Sequence, residues 1–210
     1  MSRIDQLFVD QIWWYTSRAS GIISWVLLTA SVIAGLAISS RGSRTLPAGW
    51  TIDLHRFFST LSLLFLTIHL VALVPDNFVH FSWAEIFLPY ASEWNPGAVA
   101  LGVVAFWLMI MVEVTSLVRT RIPTAMWRTI HRLSFVVWGM ATAHLVYAGT
   151  DAGHPAFRAG QIVIGAFVIG LTGRRIRAGS RRRSRSRSLP IEEPVDIDEV
   201  DTGEGREFAA

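Results

Sequence analysis

Apolar residues in this chain fall in long unbroken runs rather than at alternating or striped positions. Gly21 to Ser39 carries no charge. Phe57 to Pro75 holds only His69 among groups that ionise near neutral pH, Gly97 to Val118 only Glu113, and Leu133 to Gly149 only His144. About 20 apolar residues let a helix cross a bilayer core of about 30 Å, where backbone groups must bond within the protein. Each run therefore predicts a spanning helix. A fifth run, Ala159 to Gly173, is the shortest and falls below that length. It becomes a span if it borrows Pro155 to Phe157 and lets Arg158 and Arg174 reach toward the two surfaces. The expected fold is all-α, a polytopic membrane helix bundle of about five spans. Residues 1–17 form an N-terminal extracytoplasmic or interfacial segment, 18–176 the membrane domain, and 177–210 a disordered tail, Arg/Ser-rich and then acidic.

Composition agrees with that frame and sets its orientation. Hydrophobic residues make up 51% of the 210, and the mean hydropathy of +0.41 is too high for an ordinary soluble domain. Lysine is absent, so arginine alone reports topology. Arg41, Arg44 and Arg56 lie between runs one and two, Arg119, Arg121 and Arg128 between three and four, and a dense Arg cluster follows run five. The alternate loops, Asp76 to Pro96 and Thr150 to Pro155, contain none. The positive-inside rule then puts the C-terminus in the cytoplasm and, with five spans, the N-terminus outside. The expected location is the plasma membrane. Aromatic residues fall where interfaces are expected, Trp13, Trp14, Tyr15, Trp83, Tyr90 and Trp94 outside and Trp50 and Trp127 inside. Basic residues just cytoplasmic of a span follow from topology and anionic lipid, so the Arg/Ser run predicts no nucleic-acid partner. Cysteine is absent, which removes disulfides, cysteine-ligated iron–sulfur clusters and covalently attached c-type haem.

The candidate chemistry lies in four histidines. His69 follows His55 at position i+14, and His144 follows His131 at i+13. At about 1.5 Å per residue the members of each pair stand roughly 20 Å apart along a helix, too far for one metal ion. Ionisable groups inside membrane spans are costly and are functional candidates by default. Leu54-His55-Arg56 opens the second span and Ile130-His131-Arg132 the fourth, and helices separated by one span run parallel. His55 and His131 then share the cytoplasmic depth, and His69 and His144 the outer one. The reading is two b-type haems between spans two and four, held non-covalently, with His55 and His131 on the inner iron and His69 and His144 on the outer. Zinc fits poorly, because each depth offers two histidines and no Cys or carboxylate to complete a tetrahedron. Arg56 and Arg132 are candidates for the haem propionates, and Glu113 for an ion pair with one of them or for proton movement. His80 and His154 read as outer-loop side chains.

Helical geometry is only half satisfied. A step of 14 returns to within roughly 40° of the same face, whereas a step of 13 misses by about 140°. The fourth span must bend, change pitch, or present its histidines from different sides.

LHRFFSTLSLLFLTIH and WRTIHRLSFVVWGMATAH resemble the ferric reductase-like transmembrane domain of ferric reductases, NADPH oxidases and the haem-binding subunits of methionine sulfoxide reductase systems. The resemblance covers roughly Ser17 to Arg175 and rests on the order and the 14 and 13 intervals. It implies a six-helix core, of which this chain lacks the first helix. The larger members continue into FAD and NADPH domains, whereas no G-x-G-x-x-G fingerprint occurs here, so no FAD or NAD(P) site is expected. The expected function is a dihaem cytochrome b. It takes electrons from a cytoplasmic flavoprotein reductase or a quinol and delivers them to an outer acceptor such as ferric iron or a redox protein. Alternatives are a quinol-oxidising cytochrome b and a haem-free scaffold that recruits a partner through its charged tail.

Overall fold

The computed structural model describes residues 3–39, 47–76, 81–149 and 153–187, and every regular element among them is a helix. In chain order these are α1 (Arg3–Ser39), α2 (Ala48–Leu73), α3 (Trp83–Phe87), α4 (Pro96–Leu117), α5 (Thr124–His131), α6 (Ser134–Ala148) and α7 (Pro155–Arg187). Proline marks four of the starts. Pro47 and Pro123 immediately precede α2 and α5, and Pro96 and Pro155 open α4 and α7. A fixed φ and a missing N–H are harmless where the first amide has no partner in its own helix.

Among the described residues four helices are long and apolar enough to cross a bilayer: Gln11–Ser39, Gly49–Leu73, Pro96–Leu117 and Pro155–Ser180. Large apolar side chains on them face outward, with Val26 49%, Leu64 53% and Val163 67% exposed. This is the architecture of a membrane protein. The runs differ from the sequence expectation in three places. The first span begins well before Gly21, inside a helix that starts at Arg3, so the expected boundary at residue 17 falls within α1. The run expected to be short, 159–173, lies within a span of 26 residues. The run around His144 gives instead the short α6, about 22 Å long, with α5 immediately before it. The helix α7 also continues to Arg187, through residues assigned to the tail. Residues 188–210, with the acidic part of that tail, lie outside the described residues, as do His80, Arg41 and Arg44.

The chain divides after Gly173, and the unit before that point holds the core. Within it α1 packs on α2 and α6, and α4 packs on α6 and α5. Leu28, Val32 and Leu36 of α1 meet Met109 of α4, Val137 and Trp138 of α6 and Val168 of α7. Hydroxyl groups stitch the helices where apolar burial alone has little directional content. Ser24 Oγ donates to the Ser62 carbonyl and Ser62 Oγ to the Ser24 carbonyl, both at 2.9 Å. Ser62 is fully buried, and two small side chains let α1 and α2 approach closely.

A second clasp joins α1 to α6. Trp25 Nε1 donates to Thr142 Oγ1 at 2.9 Å, and Trp138 Nε1 to Thr29 Oγ1 at 3.0 Å. Each threonine hydroxyl then donates back to the carbonyl of the tryptophan on its own helix, Thr29 to Trp25 and Thr142 to Trp138. Both indoles and both hydroxyls are satisfied in one closed loop of four bonds. Replacing Thr29 by Val and Trp138 by Phe, singly and together, is expected to give a coupling of about 0.6–2 kcal/mol in a double-mutant cycle. Denaturant unfolding of the detergent-solubilised protein measures it, and additive single effects would show that the two side chains do not act together.

Candidate functional site

The structure brings His55, His69, His131 and His144 together in two pairs. The rings of His55 on α2 and His131 on α5 have centroids 5.9 Å apart, with their planes 75° apart. His69 on α2 and His144 on α6 line one cavity, with Trp25, Leu28, Leu66 and Met109 among its apolar walls. The order along both helices is the same, so α2 and the α5–α6 segment run in the same direction. Neither α5 nor α6 packs its backbone closely on α2. Between them lie the imidazoles, the cavity and an apolar cluster that includes Leu63 and Leu66 of α2 and Val137 and Trp138 of α6.

Each histidine is held from behind by a neighbouring helix. His69 Nδ1 lies 2.6 Å from the carbonyl oxygen of Ser17, His55 Nδ1 2.9 Å from that of Ser31, and His144 Nδ1 2.7 Å from that of Ala98. A carbonyl can only accept, so in all three rings Nδ1 carries the proton and Nε2 keeps a free lone pair. His131 differs: its Nδ1 lies 3.4 Å from the hydroxyl of Ser116. Trp127 stacks on that ring at 5.0 Å and 23°, and its Nε1 donates to the same hydroxyl at 3.5 Å.

Glycine makes the approach possible. Ser17, Ser31 and Ala98 are each followed one helical turn later by a glycine, at Gly21, Gly35 and Gly102. In a helix the carbonyl of residue i bonds the amide of residue i+4, and without a Cβ at i+4 its second lone pair is open to a ring from outside. A Cβ built on Gly102 would stand 2.8 Å from His144 Nδ1, and one on Gly21 2.9 Å from His69 Nδ1. At Gly35 the nearest atom, His55 Cε1, would be 3.4 Å away. The chain therefore writes S-R-A-S-G, S-V-I-A-G and A-V-A-L-G at 17–21, 31–35 and 98–102. The offset from Ser17 to Ser31 equals the offset from His55 to His69. Attention to the histidines alone passes over these partners, although the repeated small-residue motif was a visible signal. Ser17 also belongs to the site, not to a separate N-terminal segment.

The pitch problem between His131 and His144 is resolved by a break. Leu133 N–H bonds the carbonyl of Ile130 and Phe135 N–H that of Arg132, both three positions back, separating α5 from α6. Turns of this kind advance about 120° per residue instead of about 100°. They rotate the chain in the direction that reduces the mismatch of about 140°.

Other candidates sit elsewhere. Arg56 and Arg132 are exposed, and Arg132 is bonded to the Arg128 carbonyl and the Thr129 hydroxyl of its own turn. Arg18, stacked on Trp14 at 4.0 Å, is the arginine that lines the cavity of His69 and His144. Glu113 forms neither expected ion pair; it accepts a hydrogen bond from Ser59 at 2.8 Å, one turn from His55. His154 is exposed at the start of α7. Among the described residues no group of three or more His, Cys, Asp or Glu is assembled to hold a metal ion. Comparison with known proteins found no matching family model, no similar curated protein and no similar solved structure.

The glycine contacts rank three substitutions. Gly102→Ala and Gly21→Ala are expected to destabilise the protein by about 1–3 kcal/mol through overpacking against the rings, and Gly35→Ala by clearly less. Unfolding of the three variants in detergent tests this. Equal costs at all three positions would mean that the rings are not held against the glycines.

Proposed function

We propose that the chain is a membrane dihaem cytochrome b that carries electrons from one face of the bilayer to the other. One observation supports this most: four histidines meet in two pairs, and three of them donate Nδ1–H to a backbone carbonyl, which leaves the Nε2 lone pair free. Metal-bound histidines are oriented in this way by what their second nitrogen contacts. An imidazole nitrogen sits about 2 Å from a first-row metal, so two rings facing one ion from opposite sides have centres about 6 Å apart, close to the separation of His55 and His131. Two nitrogens per site suit a metal that brings its own equatorial ligands. The apolar cavity beside His69 and His144 suits a large flat group. When bound, haem would supply a one-electron couple, and two histidines holding each group would favour electron transfer over substrate binding at iron.

The residues of this chain then have defined roles. His55 and His131 hold the inner group, and His69 and His144 the outer one. Ser17, Ser31, Ala98 and Ser116 orient the imidazoles, and the Trp–Thr clasp between α1 and α6 sets the spacing of the two levels. In this reading α5–α6 completes a fifth crossing, the arginine-rich ends face the cytoplasm, and the donor is a separate flavoprotein reductase docking there. Arg56 and Arg132 then serve that docking face or the propionates. A quinol donor is favoured by one feature, Glu113, a carboxylate inside a span beside Ser59 and able to take a proton. The acceptor outside is ferric iron or a redox protein. The ferric reductase-like group is the family to which this reading assigns the chain.

Two experiments test the proposal. The purified protein is expected to bind two haems, with His69→Ala losing the outer one and His55→Ala the inner one, each sparing much of the other's absorption. Proteoliposomes with reductant and flavoprotein on the cytoplasmic face are expected to reduce an impermeant ferric chelate on the opposite face, and His69→Ala to stop this while the inner haem remains reducible. Transfer at the wild-type rate in that variant would exclude a two-haem relay. For orientation, a single Cys at exposed Glu93 is expected to react with an impermeant thiol reagent in intact cells and one at exposed Thr120 to resist it. The reverse pattern would invert the topology.

A further inference from the structure

We infer that Ser116 is a positioning residue that sets the electron affinity of the inner centre apart from that of the outer one. The inference rests on the dihaem reading and deepens it. Both outer histidines and His55 bond backbone carbonyls at 2.6–2.9 Å. His55 Nδ1 also has the Ser31 hydroxyl at 3.1 Å beside the Ser31 carbonyl, whereas the partner of His131 Nδ1 among the described residues is a hydroxyl without a carbonyl, that of Ser116 at the longer distance of 3.4 Å. An amide carbonyl is the stronger acceptor; it draws the Nδ1 proton and makes the imidazole a better electron donor to a metal on Nε2, which favours the oxidised state.

The hydroxyl of Ser116 is also shared. Trp127 Nε1 donates to it at 3.5 Å, which takes up part of its capacity to accept from His131. His131 is therefore the weakest donor of the four. Its iron is held in the reduced state more readily than a carbonyl partner would allow. The effect is confined to the inner pair, because Ser116 touches His131 and is not part of the outer cavity's wall. Glu113 lies three residues before it on α4, and Arg128 and Arg132 flank His131 along the chain. They stay constant through any series of changes at position 116.

The test is potentiometric titration of the full-length, haem-loaded protein, with the two haems followed by absorbance and by their low-spin electron paramagnetic resonance signals. Ser116→Ala removes the acceptor and is expected to raise the inner potential, by about tenfold in electron affinity, or ~59 mV for a one-electron couple. Ser116→Asp places a full charge on Nδ1 and is expected to lower it, whereas Ser116→Thr keeps the hydroxyl and stays near wild type. The outer potential is expected to hold in all three. An inner potential unchanged in Ser116→Ala, or two potentials that move together, would overturn the inference. If Ser116→Asp fails to load the inner haem, the contrast between Ala and Thr still decides. A wild-type protein that binds no haem would instead overturn the reading beneath it, a separate and visible result.

Discussion

The bond from an imidazole Nδ1 to a backbone carbonyl of the next helix is the constraint on which the rest of this structure depends. A carbonyl in mid-helix is already engaged by the amide one turn on, and it has one lone pair left. A ring can reach that lone pair only if residue i+4 has no side chain in the way, which makes Gly21, Gly35 and Gly102 consequences of the bond, not independent features. The helix that offers the carbonyl must also come close. The reciprocal Ser24–Ser62 bonds hold α1 against α2 at the level between the two histidines of α2.

The same constraint separates the two halves of the bundle by role. The helices α1 and α4 present carbonyls and glycines to the rings of α2 and α6, and α4 presents a hydroxyl to the ring of α5. Because α1 also packs on α6, through the Trp25–Thr142 and Trp138–Thr29 bonds, both ring-bearing segments are anchored to α1, α2 along a long interface and α6 at a shorter one. Polar bonds suit this task in a membrane domain, because lipid is as apolar as the core and gives helices little reason to choose one partner over another.

Much of this was legible in the sequence, and the remainder was hidden for definite reasons. Uninterrupted apolar runs gave the helical class and the positions of α1, α2 and α4, because nothing but a helix satisfies the backbone over such lengths. The histidine intervals gave the pairing, since helix rise is nearly constant. Span length was less legible. Apolar runs mark what faces lipid or core, whereas α1 continues through charged and aromatic residues before Gly21 and α7 through arginines after Gly173. The arginine candidates rested on adjacency to His55 and His131 along the chain, and on a helix successive residues point about 100° apart. Arg132 accordingly turns back on its own turn, while Arg18, distant in sequence, lines the cavity of His69 and His144.

The shorter interval from His131 to His144 explains why one histidine is held differently. On α1 the supporting motifs recur at the same offset as His55 and His69, and both rings find a carbonyl beside a glycine. Carried along α4, the same repeat places Val112 and Ser116 where Ala98 and Gly102 serve His144. The ring that would use them is one position out of step and sits on α5, across the break from α6. Position 116 also has a side chain where the other three sites have none. A ring arriving there meets the hydroxyl before it can reach the carbonyl of Val112, and that hydroxyl becomes its partner. The irregular spacing, the broken helix and the hydroxyl partner of His131 thus occur together, and they set the pair of His55 and His131 apart from that of His69 and His144.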